Sequence, residues 1–405
     1  MVKKNDVSDW IQQGLQQDIG GFKEQYPNIT VQLETVVGWT DKYFPKILTL
    51  ASSGELGDLL WYPPRHGSAF SWAVKDQLVR DLNPLAQTAK YDKNQFFPGA
   101  LEGNTLDGKW YWMPYIAEPI VPVIAYNKTK AQLMGLETPS DDWTFDDLAN
   151  WAKSGTRPGQ APTYGFYTGD WGGDPFGSGP FLRQYDVEPV DQSGKKATFF
   201  NGGNGFTDAL QFRFDLGNTW RVLPVAPPTG GINQDKLFAG QQLLSAPVWP
   251  FRIQNYPRMF TDFEMDFVLV PTVHKGDKKR SMLNQHVFGI TSVSKNPAES
   301  FDVLSWMCGK DMNIQGLLIG PKGPSARADF WQDQRIYQKY PTYTKLKPVM
   351  ENIEPDYYVA NFHGEDFDSA FSKVFGQMTA GKLAVESAAQ QIQQVCQAVL
   401  DQPPA

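Results

Sequence analysis

Residues 9–33 have the sequence DWIQQGLQQDIGGFKEQYPNITVQL, which combines two hydrophobic periods around one break. The first half carries apolar residues three or four positions apart, the spacing of one helix face; they are Ile11, Leu15, Ile19 and Phe22. Pro27-Asn28 ends this pattern, and apolar residues then alternate with polar ones as in a half-buried strand; they are Ile29, Val31 and Leu33. Helix, turn and strand in this order predict the first unit of an α/β fold.

The same alternation of helical and strand patterns continues along the chain. Thr144, with Asp147 three residues later, forms a variant of the capping box and predicts a helix start. Asn296-Pro297 predicts another, because Asn is a good cap and Pro suits the first helical position. The other predicted helices are one through Tyr43, Ile47 and Leu50, residues 205–217, residues 234–240, and a final one with Val385, Ala388, Ile392, Val395 and Val399 on one face. The predicted strands are residues 58–62, 110–113, 120–126, 243–248, 266–270 and 286–292. Residues 164–200 are rich in Gly and aromatics without periodicity, which predicts loops around a site.

Size, composition and charge narrow the class of protein. A chain of 405 residues is too long for one hydrophobic core and suits two domains of roughly 100–200 residues each. The formal net charge is −7 and the one short cationic run is Lys278-Lys279-Arg280, which argues against nucleic acid as a partner. No stretch approaches the ~18 apolar residues of a membrane span, and polar residues follow Met1 where a signal peptide would be apolar. Such a start fits either a cytoplasmic protein or an exported one whose leader was replaced.

Cysteine and histidine give no support for a metal site. Cys308 and Cys396 each lie among apolar neighbours on a helical pattern, which predicts two buried free thiols. The four histidines are far apart and show no metal-ligand spacing; they are His66, His274, His286 and His363. We therefore expect neither a metal nor a cofactor.

Several short segments follow one another in a characteristic order over most of the chain. They are residues 22–31 (FKEQYPNITV), 51–54 with 57–58, 107–111 (DGKWY), 114 leading to 126–128, 143–148 (WTFDDL), 238–240, 294–297 and 381–382. In this order they resemble the extracellular solute-binding proteins of ABC importers, the sugar-binding family that includes maltose-binding protein.

The resemblance implies an α/β fold, namely the two-lobed periplasmic-binding-protein fold of type II. Each lobe is expected to be a mixed sheet flanked by helices, and hinge strands cross between the lobes near residues 120–126, 270–286 and 324–330. The expected N-terminal lobe comprises residues 1–122 and 275–325, and the C-terminal lobe comprises residues 123–274 and 326–405. Hinge closure around a ligand is then favoured by the contacts that the ligand makes with both lobes.

The beginning of the chain departs from the family pattern. The family opens with a β-strand that ends in an aromatic residue, whereas only about eight residues precede the first helix here. The first strand is therefore expected to be short or absent, together with any ligand contact that the family makes from it.

The aromatic content points to a sugar site. Sugars present flat C–H faces and a rim of hydroxyls, so their sites pair aromatic platforms with charged or amide groups. The chain has thirteen Trp residues, and those at strand ends or in Gly/Pro-rich loops are less expected in a core. The candidates from the first lobe are Trp39, Trp61, Tyr62, Arg65, His66, Tyr115 and Glu118. Those from the second lobe and the later segments are Trp171, Asp174, Phe176, Trp249, Arg252, Asn284, Gln285, His286, Trp331 and His363.

The resemblance assigns roles to some of these candidates. Glu118 occupies the position of a sugar-binding Glu in the family, and Trp249 that of a Trp that stacks under a sugar ring. The segment around Trp61 and Tyr62 is similar to one that supplies a Trp, an Asp and an Arg to the sugar in the family. The Asp is not matched, because Arg65 and His66 stand in its place, so different sugar hydroxyls are expected to be recognised.

Two alternatives remain beside a sugar-binding protein. A glycoside hydrolase also combines Trp platforms with carboxylates, and Glu118 and Asp174 could be its pair, but opposite mobile lobes would hold them poorly in catalytic geometry. The same fold could instead bind glycerol phosphate or another anion, although anion sites favour converging Arg and Lys and the loops here are rich in Trp and acid. No GxSxG, GxxxxGK[ST] or GxGxxG motif occurs.

The expected protein is therefore not an enzyme but the substrate-binding component of an ABC transporter that captures a neutral carbohydrate between its lobes. Its expected partners are the carbohydrate, an oligosaccharide by preference, and the permease subunits in the membrane. We expect a monomer that is extracellular or periplasmic, anchored to the membrane through a leader that this sequence does not contain.

Overall fold

The chain divides into two compact units in the computed structural model, and each unit is built from two separate stretches of sequence. Unit 1 comprises Met1–Glu118 and Leu283–Asp356, and unit 2 comprises Pro119–Met282 and Tyr357–Ala405. The structure describes residues 2–3, 6–36, 40–62, 70–201, 203–225, 231–319 and 322–405.

Helices and strands alternate throughout both units. The first stretch of unit 1 contains β1 (Val2–Lys3), α1 (Asp6–Gln17), α2 (Phe22–Gln25), β2 (Thr35–Val36), α3 (Thr40–Ser53), β3 (Leu59–Tyr62), α4 (Asn83–Thr88), α5 (Pro98–Glu102), β4 (Thr105–Leu106), β5 (Lys109–Trp110) and β6 (Met113–Pro119). The first stretch of unit 2 contains β7 (Val123–Asn127), α6 (Lys128–Leu133), α7 (Phe145–Gly155), α8 (Pro175–Arg183), α9 (Gly205–Asn218), α10 (Gln234–Ala239), β8 (Ser245–Val248), α11 (Phe251–Met259) and β9 (Met265–Leu269). The second stretch of unit 1 adds β10 (Leu283–Ile290), α12 (Pro297–Met307), α13 (Lys310–Ile319), α14 (Gln334–Lys339) and α15 (Tyr343–Glu351), and that of unit 2 adds α16 (Gly364–Thr379) and α17 (Val385–Leu400).

Unit 1 is organised around a sheet with the strand order β3-β10-β6. β10 runs antiparallel to β3, with Phe288 opposite Trp61 and Gly289 opposite Leu60. All seven residues of β6 are buried, so this strand is covered on both faces. Gly289 is required here, since a Cβ at this position would lie 2.9 Å from the ring of Trp112.

The strand predicted for residues 29–33 is wrong as a paired strand. β2 begins only at Thr35 and pairs in parallel with β1, which is two residues long. Residues 29–34 keep the alternation of half-buried apolar and exposed polar side chains that predicted the strand. A cavity of about 560 Å³ lies between this segment and residues 57–59. The hydrogen bonds of a sheet join two neighbouring strands. Among the described residues, β1 pairs with Thr35 and Val36 and with no residue of the segment before them.

Unit 2 is organised around a sheet with the order β8-β7-β9. β7 lies in the centre and runs antiparallel to both neighbours, so Ile124 is opposite Pro247 on one side and Val268 on the other. Beside the sheet, α16 and α17 pack against each other and against α9. The aromatic core that results contains Phe199, Phe206, Phe212, Phe367 and Phe371.

The strongest helix signals in the sequence are confirmed. Thr144 and Asp147 form a complete capping box at the start of α7: the Asp147 N–H donates to Thr144 Oγ1 at 3.2 Å, and the Thr144 N–H donates to Asp147 Oδ2 at 3.0 Å. The final helix, α17, buries Val385, Ala388 and Ile392 as its periodicity predicts.

The prediction of loops throughout residues 164–200 is wrong, because α8 lies within them. Asp174 caps this helix by accepting a hydrogen bond from the Gly177 N–H at 2.7 Å, and Pro175 occupies the first turn. All nine residues of α8 are buried. A helix buried on all sides has no polar face, so it lacks the periodicity on which the sequence prediction depends.

The chain crosses between the units at three points. The first crossing follows Glu118 and the second follows Met282, a few residues from the first predicted boundary and within the range predicted for the second. The third follows Asp356, whereas residue 326 was predicted to begin the C-terminal lobe. Residues 326–356 stay with unit 1 because α14 and α15 pack in series on α13.

Both cysteine thiols are free and buried, Cys308 in unit 1 and Cys396 in unit 2, as predicted. Burial raises the pKa of the Cys308 thiol to about 12, so it is protonated at neutral pH. Among the described helices, none has the length and apolar content needed to cross a bilayer.

Candidate functional site

Unit 2 brings together two of the predicted aromatic platforms. Trp249 follows β8 directly and is partly exposed, although it also packs against the core of unit 2. Phe176, in the first turn of α8, lies with its ring centroid 6.3 Å from that of Trp249 and its plane tilted by 31°. The two rings lie next to each other beside the loop of residues 169–174, and Trp249 has the more exposed face, since Phe176 is 8% exposed.

Asp170 adds a carboxylate to this surface. The backbone N–H of Trp249 donates a hydrogen bond to the Asp170 carboxylate. The residue is partly exposed, but its Oδ2 atom is buried and accepts no hydrogen bond from any described residue. Burial raises the pKa of Asp170 to about 6, against the opposing influence of Arg252 and of the Trp249 N–H. Such a buried oxygen is well placed to accept a hydrogen bond from a hydroxyl group.

Arg252 belongs to the same cluster through an ion pair. Its Nη1 lies 2.7 Å from Asp235 Oδ2, and its guanidinium lies over the rings of Phe251 and Tyr256 at 5.0 and 5.1 Å from their centroids. The Tyr256 hydroxyl donates to Asp235 Oδ1 at 2.9 Å. The arginine is therefore held at a fixed position by a carboxylate and by two aromatic faces.

These residues, which we call the unit 2 cluster, are Asp170, Phe176, Asp235, Trp249, Arg252 and Tyr256. They combine flat apolar rings with fixed carboxylate, guanidinium and hydroxyl groups. This is the combination that stacks on the C–H face of a sugar ring and hydrogen-bonds to its rim.

Unit 1 carries a second polar group of predicted residues. Glu118, at the end of β6, is 4% exposed and accepts a hydrogen bond from Asn284 Nδ2 of β10 at 3.3 Å. Gly323 leaves room beside this carboxylate, since a Cβ there would lie 3.3 Å from Glu118 Oε2. The Asn284 Oδ1 atom is buried and has no hydrogen-bond partner among the described residues.

Tyr115 lies beneath a buried lysine. The Lys322 Nζ atom is 3.9 Å from the centroid of the Tyr115 ring and donates a hydrogen bond to Asn313. Burial lowers the pKa of the Lys322 ammonium group to about 7. The Tyr115 hydroxyl is buried, and no described residue hydrogen-bonds to it. Buried polar atoms of this kind are normally satisfied by water or by a ligand.

Four predicted aromatic residues pack inside their units in this conformation. Trp61 and Tyr62 belong to the sheet of unit 1, Trp171 lies in the core of unit 2 against Phe166 and Phe181, and Trp331 packs on Phe330 and Tyr343. Each of the four is 0–1% exposed and so presents no open face. Their role as platforms remains a prediction, while the visible role of these rings is packing.

Several other predicted ligand-binding residues contact side chains or backbone groups of the protein itself. The Asp174 carboxylate caps α8, and the His363 ring contacts Asp366 at 2.8 Å and the Pro403 carbonyl at 3.1 Å. Gln285 accepts a hydrogen bond from Asn104 at 2.9 Å, and the His286 ring lies 5.7 Å from that of Trp61. Asn284, Gln285 and His286 lie on β10 itself and not before it. Trp39, Arg65 and His66 lie outside the described residues.

The sequence analysis missed three members of the unit 2 cluster: Asp170, Asp235 and Tyr256. Asp170 could have been found, because it stands next to Trp171 in the same glycine-bounded loop. Asp235 and Tyr256 carry no signal of their own, since they look like an ordinary helix-start acid and an ordinary helical aromatic.

Comparisons with known proteins agree with this architecture. The family model described as bacterial extracellular solute-binding protein matches residues 6–314. An ABC substrate-binding protein from Listeria monocytogenes in complex with cycloalternan is 17% identical, with a TM-score of 0.78 over 94% of each chain. The GacH receptor of Streptomyces glaucescens, described without ligand and with acarbose, is 17% identical, with a TM-score of 0.76 over 98% of this chain and 97% of that one.

A third solved structure, maltose-bound MalE3 of T. maritima, is 18% identical, with a TM-score of 0.74 over 97% of each chain. No curated protein sequence matches this chain. At these identities the solved structures show the fold, and the predicted two-lobed periplasmic-binding-protein fold is confirmed.

Proposed function

We propose, since this chain belongs to the family of bacterial extracellular solute-binding proteins, that it captures a neutral carbohydrate and delivers it to an ABC transporter. An oligosaccharide fits best, because an extended aromatic surface can stack on more than one ring. The solved structures of cycloalternan-, acarbose- and maltose-bound relatives support this class of ligand.

The observation that carries the proposal is the unit 2 cluster. Trp249 and Phe176 supply the apolar surface, and Asp170 and Arg252 supply an acceptor and a donor beside it. Glu118 and Asn284 are the polar contacts that we propose for unit 1. The other ligand-binding residues predicted in the sequence analysis remain part of the proposal. Closure of the units around the ligand is part of the same proposal.

The proposed partners follow from the family. The loaded protein would dock on the permease subunits of the transporter as a monomer, outside the cytoplasm, held at the membrane by a lipoprotein leader. Labelling of intact cells with a membrane-impermeant reagent tests the location, and loss of labelling after removal of the leader cysteine in the natural precursor tests the anchor.

A binding role fits the carboxylates better than the hydrolase alternative does. The Asp174 carboxylate already has a structural role, because it accepts the hydrogen bond from the Gly177 N–H that caps α8. A general acid, by contrast, must carry and release a proton. An anionic transported ligand is also less favoured, because the unit 2 cluster contains two carboxylates for its one guanidinium.

The test is a thermal-shift screen against mono- and oligosaccharides, followed by titration calorimetry with the best hit. A ligand that binds only the folded state raises the melting temperature. Trp249→Ala should weaken binding at least tenfold, because the stacking surface is lost. Trp220→Ala is the matched control, since Trp220 also packs partly buried on the core of unit 2 but contacts Phe212 and Lys153 instead.

Equal affinities for the wild type and Trp249→Ala would reject the stacking role of Trp249. Chromatography of the hit after incubation with the protein checks for turnover. Cleaved sugar would favour the hydrolase instead.

A further inference from the structure

Arg213 is a buried cation in unit 2 that the proposed sugar site does not use. It lies on α9, is 7% exposed, and is packed between the rings of Phe181 and Phe375, whose centroids are 5.8 and 5.2 Å from the guanidinium carbon. Its Nη1 donates a hydrogen bond to the Trp171 carbonyl at 3.0 Å. Burial lowers the pKa of Arg213 to about 10, so the guanidinium remains charged at neutral pH.

No carboxylate of the described chain pairs with this guanidinium. Among the described residues, the ionisable group whose charge acts on Arg213 is the Tyr167 hydroxyl, which is neutral at pH 7. Buried charges in proteins are normally paired, because removal from water costs several kcal/mol per ion. By comparison, buried Arg183 of the same unit pairs with Glu188 at 2.6 Å. Arg213 therefore lacks the counter-ion that its burial calls for.

A cavity of about 320 Å³ lies against Arg213. Its polar lining comes from Thr168, Asn218, Ser372 and Thr379. The Ser372 and Thr168 hydroxyls make no hydrogen bond with any described residue, so both are available to a ligand.

Gly217 and Gly376 are among the residues that line this cavity. A Cβ added at Gly376 of α16 would meet no atom within 4 Å, and one added at Gly217 of α9 would meet only Leu223 Cδ1, at 3.6 Å. Gly376 is exposed, so the cavity reaches solvent at this point. A small solute can therefore enter without any rearrangement of the helices.

We propose that this cavity binds a small oxyanion of the phosphate or carboxylate class, with Arg213 as its counter-ion. The guanidinium presents a planar set of donors that matches two oxygens of such an anion, and the free hydroxyls can donate to the others. The anion would supply the missing negative charge and thereby stabilise the packing of α9 against α16. The cavity adjoins the loop of residues 169–174 through Thr168 and Gly173, but none of the six residues of the unit 2 cluster lines it.

The test uses inorganic phosphate at constant ionic strength, with chloride as the replaced anion. The wild-type melting temperature should rise with phosphate and saturate, and calorimetry should detect the same binding. Arg213→Met keeps an apolar stem between the two rings but removes the charge, and phosphate affinity should fall at least tenfold. A general effect of phosphate on protein hydration does not saturate and is the same in both proteins.

A second pair of variants makes the test independent of the folding of Arg213→Met. Gly376→Leu should fill the cavity and abolish the saturable response, whereas Gly376→Ala places one methyl group in open space and should retain it. A saturable response that survives in Gly376→Leu or in a folded Arg213→Met would overturn the proposal, as would its absence from the wild type. A sugar hit from the carbohydrate screen should bind all these variants as it binds the wild type.

Discussion

Asp170 and Arg213 are residues of unit 2 with buried polar groups. Burial disfavours the charged form of both, and it therefore shifts their pKa values in opposite directions. Desolvation raises the pKa of the carboxylic acid to about 6 and lowers that of the guanidinium to about 10. Asp170 can therefore become neutral under mildly acidic conditions, whereas Arg213 stays charged over the physiological range. Of the two residues, Asp170 is therefore the one whose charge changes near neutral pH.

Replacement of Asp170 by Asn should remove one component of the pH dependence of stability. The folded state binds the Asp170 proton more tightly than the unfolded state, whose carboxyl has the ordinary pKa of 3.8. The stabilisation of the folded state by proton binding to Asp170 is therefore complete below pH 4 and is lost as the pH rises through about 6. Relative to Asp170→Asn, the wild type should lose stability between pH 4 and 6, by at most about 3 kcal/mol at about 1.36 kcal/mol per pKa unit.

Urea denaturation of both proteins at several pH values between 4 and 7 measures this difference. The exposed carboxylate Asp262, changed to Asn, is the matched control on the same unit. A stability difference between the wild type and Asp170→Asn that is constant over this range would contradict the interpretation.

Single aromatic residues show how far residue type can predict a site. Trp171 lies in a glycine-bounded loop and Trp249 directly follows a predicted strand, so both positions favour a site, yet Trp171 is 1% exposed in the core and Trp249 is partly exposed beside Phe176. The difference depends on how the loop of residues 169–174 packs, which no local pattern records. The sequence could therefore predict an aromatic site but could not choose its members.

At the scale of elements, both predicted helix starts are present, although Asn296 precedes α12 without a side-chain cap hydrogen bond. The Thr144 capping box is present as expected, because its hydrogen bonds join residues only three positions apart. Residues 29–34 have the periodicity of a strand but pair with no strand of the described residues, and α8 is a helix without helical periodicity. Both failures have one physical cause: periodicity reports which side of an element is buried, and burial is decided by distant residues.

The Asp174 cap gives a test at this scale. Asp174→Ala should lower the free energy of unfolding by about 1 kcal/mol, because the Gly177 N–H loses its acceptor. Asp174→Asn keeps a cap acceptor and should cost only a few tenths of a kcal/mol. Chemical denaturation of the two variants measures these values, and equal losses in both would show that the charge matters and the cap does not.

At the scale of the molecule, neither unit is continuous in sequence. Unit 2 depends on residues 357–405, since α16 and α17 cover α9 and contribute Phe367, Phe371 and Ile392 to its core. Unit 1 depends in the same way on β10, which is the central strand of its sheet. Folding of either unit therefore requires chain segments that are more than a hundred residues apart.

Truncation after Asp356 should unfold unit 2 while unit 1 keeps its structure. Hydrogen exchange measured by mass spectrometry should show fast exchange in α9 and slow exchange in β10, because only α9 loses the helices that cover it. Removal of the exposed residues 403–405 alone is the control and should leave both protected. Retained protection of α9 in the long truncation would show that residues 119–282 form a stable core without the C-terminal helices.

The sequence by itself determined the α/β class, the capped helices, the buried cysteines and, through ordered family segments, the two-lobed fold. These features depend on residues close together in the chain or on a pattern that repeats over its whole length. Only the tertiary structure decided the third crossing after Asp356, the pairing of Asp235 with Arg252, and the start of strand pairing at Thr35 within the described part of the chain. Each of these depends on which distant side chains and backbones meet, and that is fixed by packing energy summed over the whole core, not by any local stretch.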